Sequence, residues 1–530
     1  MLPPLDGSRN SISVSGRTYS SLPQMVIAVP TADVPVLQAN GWQTVPPVNV
    51  SGEPGESWAG RLRRLRGAAV NNNPVERPIL IGSIPWVAGG VFAAGAIVGN
   101  AGNVYKTVAG GTAGATAPTH ITGAVSDGAV TWTWQGVQTA PGMTAVTSTH
   151  NAGLAKTYAA LGNTANNTGV FRFGGGVPAA QFGSIAMISV TNAPQFDNWI
   201  TGTTVYNFCE TSFNGVKLEY SFLNFVGTVS IQVDGQYIDS VASLGGGGVA
   251  YFTLDFTNVA GHTSSQALVG RQRHVITAEW NGVIASAGEV GLYQVSCEPT
   301  ATCSYPFRAD DFSTAYIADS QGFGEGDASV NANRTLAHPV VFRHLMGLPD
   351  IALCAIPGSG YVAPGVGTPF GSHAIGDLRK LNAYRSLKYI IVQASGNDQL
   401  YLTTLQNAAF VFHTALRAAF PLLPIFVTGV INGSVADGVT LAVAQAIERL
   451  VAAAVAQNQA NGDGLIYFIP NSTAVPAPWI VGTGHIGAPV GDGNADFDIG
   501  VDGTHLSPSG HNLQARNLAT GILSAIASIP

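Results

Sequence analysis

After Arg308 the chain alternates between two periodicities, and this restricts its fold more than any other feature. Five short, continuously apolar runs at 314–319, 351–356, 389–394, 424–430 and 465–470 have the length and composition of strands buried on both faces of a parallel sheet. Between or after them, at 403–420, 439–459 and 510–526, apolar residues recur every three or four positions over lengths that suit amphipathic helices. The alternation predicts a three-layer α/β sandwich, with a flavodoxin-like parallel sheet of about five strands, over 309–530. Open sheets of that kind carry their chemistry at the carboxyl ends of the strands, so reactive residues are sought there.

Upstream, helical periodicity is missing. Between 140 and 303, runs such as KLEYSFLN, TVSIQVDGQYID, VAYFTLDF and RHVITAEW are separated by turn signals, which predicts an antiparallel β-sandwich. Over 78–137, alternating segments such as VTWTW are broken by Gly, Asp-Gly and Pro, the pattern of short hairpins in a small β module. Its Tyr105, Trp132 and Trp134 are read as core rather than as sugar-stacking platforms. Residues 1–75 mix short β-like runs with a proline-rich stretch and read as an attachment or linker segment.

Three loops hold the candidate chemistry. The first predicted strand of the α/β region runs into Asp319-Ser320-Gln321-Gly322-Phe323-Gly324, a serine at a turn with glycines two and four residues later. The third ends in Ser395-Gly396-Asn397-Asp398, which puts an amide at the same edge. Asp502-Gly503-Thr504-His505 precedes the last helix and can return there. A serine hydroxyl becomes nucleophilic when an imidazole takes its proton and a carboxylate orients that imidazole. Asp319 and Asp398 are read as loop hydrogen-bonding residues. His338, His344, His373, His413, His485 and His511 have no partner motif. Asp492, Asp496 and Asp498 sit in a glycine-rich loop with spacing unlike an EF-hand's.

In this order the blocks resemble those of the SGNH (GDSL-type) hydrolases, over about 220 residues. Ala318-Asp319-Ser320 with Gly324 matches the family's Gly-Asp-Ser block except at its first position. Ser395-Gly396-Asn397-Asp398 matches Gly-x-Asn-Asp with one glycine missing, and Asp502 with His505 supplies Asp-x-x-His in full. The second block aligns to Pro357-Gly358-Ser359-Gly360-Tyr361, with Gly358 as its oxyanion glycine and Gly360 in reserve. The resemblance implies Ser320 as nucleophile, His505 as base and Asp502 as its partner. It also implies an oxyanion hole from the Ser320 and Gly358 N–H groups and the Asn397 amide, and no cofactor or metal is expected. The segment VPTADVPVLQANGW at 29–42 resembles one that recurs in virion proteins of tailed bacteriophages, and the 78–137 module resembles those of tail fibres and tailspikes. The sandwich resembles the jelly-roll-like domain that precedes the catalytic domain in several carbohydrate esterases.

Composition supports that setting and excludes others. Charged residues make up 10% of the chain and 65 of its 530 residues are glycine, a neutral, turn-rich texture suited to β structure. The net charge of −7 gives no basic field for a phosphate backbone, so no nucleic-acid partner is expected. The run RLRRLR at 61–66 reads as a solvated face or a subunit contact. The start has no charged n-region and apolar h-region, so no secretory signal is expected. The apolar stretch at 86–99 is too short for a membrane-spanning helix, and no membrane partner is expected. Cys209, Cys297, Cys303 and Cys354 lack metal-ligand spacing and are expected as free buried thiols. The combined expectation is a phage tailspike or tail-fibre esterase, homotrimeric and attached to other tail proteins. It would sit in the virion and remove O-acetyl groups from bacterial surface polysaccharide. The rivals are a non-catalytic glycan-binding adhesin on the same scaffold and a secreted bacterial carbohydrate or lipid esterase.

Overall fold

The computed structural model describes residues 11–14, 17–20, 84–137, 140–159, 170–181, 185–190, 204–223, 228–242, 248–257, 259, 273–285, 288–289, 291–306, 311–325, 334–365, 369–433 and 439–527. The segment at 29–42 and the arginine run at 61–66 lie outside the described residues. Of the first 75 positions, the hairpin of Ser11–Val14 with Arg17–Ser20 is described.

Five parallel strands form the α/β sheet: β1 (Ser313–Ala318), β2 (Ile351–Ala355), β3 (Leu387–Gln393), β4 (Ile425–Thr428) and β5 (Ile466–Ile469). Their order is β2-β1-β3-β4-β5. Every residue of β1, β2 and β4 is buried, which is why these segments read as unbroken apolar runs. The helices are α1 (His338–Leu345), α2 (Phe370–Tyr384), α3 (Leu402–Ala419), α4 (Leu441–Ala460) and α5 (Pro508–Ala527). Helices α2, α3 and α4 pack on one sheet face through residues such as Leu378, Leu416 and Val451. On the other face α1 and α5 bury Val340, Phe342, Leu518 and Ile522. This strand order has its topological switch point between β1 and β3, and open α/β sheets bind their ligands at the carboxyl edge of that point.

Two helices were not anticipated. Glycines at 371 and 376 dilute the helical signal of α2, although Phe370, Ala374, Leu378 and Leu381 form its buried stripe. The β-branched pair Val340 and Val341 gives α1 a strand-like look, while Pro339 sits in the first turn, where a missing N–H is tolerated.

Before this domain come two antiparallel sheets. One orders Gly142–Met143, Val249–Asp255, Lys217–Leu223, Gly291–Cys297 and Lys156–Ala159. The other is built on Arg172–Gly174, Thr204–Phe213, His274–Ala285, Thr228–Val233 and Gln236–Ala242. Tyr220, Phe222, Phe252 and Trp280 form the aromatic centre of the shared core, with the Phe222 and Trp280 rings edge to face at 5.1 Å. In the small module over 84–137, Tyr105 and Trp132 are wholly buried core residues, and half-buried Trp134 donates to Asn103 Oδ1 at 3.1 Å. All four cysteines are buried free thiols. Among the described residues no helix is long and apolar enough to cross a membrane.

A buried ionic network joins the sandwich to the α/β domain. From the sandwich, Arg172 binds Glu210 at 3.0 Å and reaches Asp311 at 2.8 Å. From α1, Arg343 donates to Glu279 Oε1 at 2.6 Å and to the Tyr206 hydroxyl at 2.7 Å, and its guanidinium lies 4.0 Å over the Phe208 ring. Arg385 binds Asp350 at 2.8 Å and donates to the Phe173 carbonyl at 2.8 Å. Burial alone would push the Glu279 carboxyl up. The adjoining His344, then Arg343 and the Tyr206 hydroxyl, outweigh that and bring it down to about 2.

Two buried histidines set an acid limit on stability. Burial brings His338 down to about 4, against a weaker opposing hydrogen bond from Gln393, and His413 down to about 3. Both are neutral when folded and take up protons near pH 6.5 when unfolded. Their stability is therefore complete above pH 6.5 and is lost as pH falls towards 4. At about 1.4 kcal/mol per unit, the loss at His338 is about 3 kcal/mol. Asp319 and Asp398, raised by burial, oppose this at the acid end. The melting temperature should fall between pH 6.5 and 4.5, and His413→Gln should flatten that slope. A flat profile in both proteins would contradict the assignment.

Candidate active site

The Ser320 turn is built by its neighbours. Asp319 ends the run of β1 and caps the short helix Ser320–Phe323, its Oδ1 accepting from Gln321 N at 2.9 Å. Gly324 closes the turn at φ 76°, a left-handed conformation that glycine adopts without strain. Gly322 is required for a different reason: a Cβ there would stand 2.3 Å from the Ala318 methyl. Ala318, where the family pattern has glycine, fits because Gly322 has no side chain.

Asp502 and His505 come from the other end of the domain. Asp502 Oδ1 accepts from the backbone N–H groups of Thr504 and His505, each at 3.0 Å, and its Oδ2 accepts from His505 Nδ1 at 2.6 Å. With its proton on Nδ1, His505 presents Nε2 as an acceptor, and Ser320 Oγ lies 2.8 Å from it. Burial pushes the Asp502 carboxyl up. The N–H groups of His505, backbone and ring, and of Thr504 more than reverse this, so the carboxylate is held below its ordinary range. Gln321 fastens the two loops together. Its Nε2 donates to the Thr504 carbonyl at 2.7 Å and its Oε1 accepts from Leu506 N at 3.3 Å, so it brackets His505 on both sides. Sequence reasoning missed Gln321, because a lone glutamine carries no pattern.

The third loop arrives beside the second. Asn397 Nδ2 lies 3.2 Å from the Ser359 carbonyl, 3.0 Å from Ser395 Oγ and 3.3 Å from Asp319 Oδ2, between the Ser320 turn and the Gly358-Ser359 turn. Of the two candidate glycines, Gly360 gives its N–H to the Ala363 carbonyl at 3.0 Å, and a Cβ there would stand 2.5 Å from the Asp398 carboxylate. Gly358 is left-handed at φ 74°, and its N–H makes no hydrogen bond among the described residues. Gly358 is thus the one with a donor to spare. Asp398 accepts from the N–H groups of Tyr361, Val362 and Ala363 at 2.8–2.9 Å, tying the third loop to the second. Both Asp319 and Asp398 are committed to loop hydrogen bonds, the role expected of them.

Glu448 on α4 was also missed. Fully buried, it accepts from the N–H groups of Val430, Asn471, Ser472 and Thr473 and from the hydroxyls of Ser472 and Thr473, fixing the turns after β4 and β5. In the long loop, Asp492 accepts from Thr483, Asp496 from Val490 N and Gly491 N, and Asp498 from Asn494 and Ser509. The described residues hold no cluster of His, Cys, Asp and Glu suited to a metal ion. His485 bonds to the Ile486 carbonyl at 2.8 Å, His413 to the Tyr361 hydroxyl at 2.9 Å, and His338 to Gln393 at 2.8 Å. His511 faces His338, His373 lies 3.3 Å from Asp377, and His344 belongs to the interface network.

No protein-family model matches the chain, and no curated protein matches it. Several solved structures do. One is the salicylyl-acyltransferase SsfX3 from a tetracycline biosynthetic pathway, at 12% identity and TM-score 0.49 over 68% of this chain and 96% of that one. Another is a family two carbohydrate esterase from Clostridium thermocellum in complex with cellohexaose, at 15% and 0.45 over 62% and 94%. A third is an acetyl xylan esterase, Est2A, from the rumen bacterium Butyrivibrio proteoclasticus, at 12% and 0.40 over 62% and 96%.

Proposed function

We propose that this chain is a serine carboxylic-ester hydrolase of the SGNH type that removes O-acyl groups, acetyl in the simplest case, from bacterial surface polysaccharide. One observation carries the reading: the relay from Asp502 through His505 to Ser320, at 2.6 and 2.8 Å, assembled from loops 185 residues apart in sequence. In such a relay His505 Nε2 takes the Ser320 proton as Oγ attacks the acyl carbon, and Asp502 stabilises the imidazolium. Charge growing on the carbonyl oxygen is met by the N–H groups of Ser320 and Gly358 and by the Asn397 amide, each such donor being worth roughly 3 kcal/mol in the transition state. His505 then protonates the leaving sugar oxygen, and water, activated by the same imidazole, releases the acid. The glycan backbone stays uncut.

The setting we propose is a phage tailspike or tail fibre, homotrimeric, joined to other tail proteins and acting from the virion at the host surface. It rests on the resemblances at 29–42 and 78–137 together with the sandwich preceding the α/β domain. NMR of purified host polysaccharide before and after treatment tests the activity. The expected result is loss of acetyl methyl signals from the polymer with matching free acetate. Unchanged spectra across acetylated capsule, O-antigen and exopolysaccharide would remove the polysaccharide substrate.

A further inference from the structure

Ser395 stands where the Gly-x-Asn-Asp pattern has glycine, so its hydroxyl is an addition of this chain. It is wholly buried at the edge between β1 and β3, and its Oγ lies 2.5 Å from Asp319 Oδ2. A carboxylate oxygen can only accept, so the single hydroxyl proton of Ser395 is spent on Asp319. Towards Asn397 the same oxygen can therefore only accept, and it does so twice, from the backbone N–H at 3.1 Å and from Nδ2 at 3.0 Å.

We propose that Ser395 is a positioning residue that fixes which way the Asn397 amide faces. This rests on the esterase reading of the site. The oxygen and nitrogen of a side-chain amide are nearly the same size, and its surroundings decide which occupies which place. An acceptor-only Ser395 Oγ, backed by Asp319, repels the amide oxygen and admits the NH2 group. One N–H is held towards Ser395 and Asp319. The other is thereby directed towards the Ser359 carbonyl, the side of the Gly358 turn where the oxyanion is to be bound. Without the hydroxyl the NH2 group loses the shortest of its three acceptors and keeps the Ser359 carbonyl at 3.2 Å and Asp319 at 3.3 Å, so the flipped orientation, with oxygen facing the oxyanion, gains population.

The test measures kcat and KM for p-nitrophenyl acetate in wild type, Ser395→Ala, Ser395→Thr, Asn397→Ala and the double variant Ser395→Ala with Asn397→Ala, all checked for native circular dichroism. Ser395→Ala is expected to lower kcat about tenfold with KM nearly unchanged, the scale of one hydrogen bond. Ser395→Thr, which keeps the hydroxyl, should recover most of it. In the Asn397→Ala background, removing the hydroxyl should cost no further activity. Full kcat in Ser395→Ala, no recovery in Ser395→Thr, or losses that multiply in the double variant would each overturn the proposal. Wild-type activity in Ser320→Ala would instead remove the esterase reading, and this proposal with it.

Discussion

Ser320→Ala is expected to lower ester hydrolysis by roughly six orders of magnitude in kcat, and His505→Ala by about as much. The hydroxyl and the imidazole work as one unit: without Nε2 at 2.8 Å the hydroxyl stays protonated, and without the hydroxyl the imidazole has nothing to activate. The double variant should therefore be no slower than either single one. What activity remains comes from the oxyanion donors and from holding the ester in place. Rates of p-nitrophenol release, measured with enough protein to resolve the variants from buffer, decide this. A Ser320→Ala protein as fast as wild type would favour the non-catalytic adhesin.

Arg343→Met is expected to cost about 3 kcal/mol of stability, because it removes the guanidinium bonded to buried Glu279 at 2.6 Å and leaves that carboxylate with His344 alone, while Glu210 keeps Arg172. Methionine keeps much of the volume over Phe208, so the loss reports charge more than packing. The urea midpoint of the transition that includes the sandwich and the α/β domain should fall accordingly, while kcat in the surviving native protein changes little. An unchanged midpoint would show that the network is balanced without Arg343.

The elements differ in how openly the sequence announces them. Strands β1 to β5 were legible because burial on both faces demands continuous apolar runs, and α3, α4 and α5 because their stripes are long and uninterrupted. Helix α2 has its stripe but also two glycines, which conceal it. The interface network was invisible for another reason. Arg343 and Glu279 are 64 residues apart and Arg172 and Asp311 are 139 apart, so each reads alone as an ordinary surface charge.

The residues of the proposed site stand in the sequence as short blocks, but nothing there distinguishes Gly358 from Gly360. The distinction depends on which N–H the loop consumes for its own hydrogen bonds, a property of the folded turn. Gln321, Ser395 and Glu448 share that obscurity, since each works through partners supplied by distant loops. Ser395 looked like a defect in its block. In the folded chain its hydroxyl joins Asp319 to Asn397.

If His505 makes the Ser320 hydroxyl unusually reactive, that serine should take up a covalent label that other serines do not. Treated with a fluorophosphonate and digested for peptide mass mapping, the wild-type protein should carry one adduct, on Ser320, and the His505→Ala protein should carry none. Equal labelling of both proteins, or an adduct confined to another serine, would show that His505 does not activate Ser320.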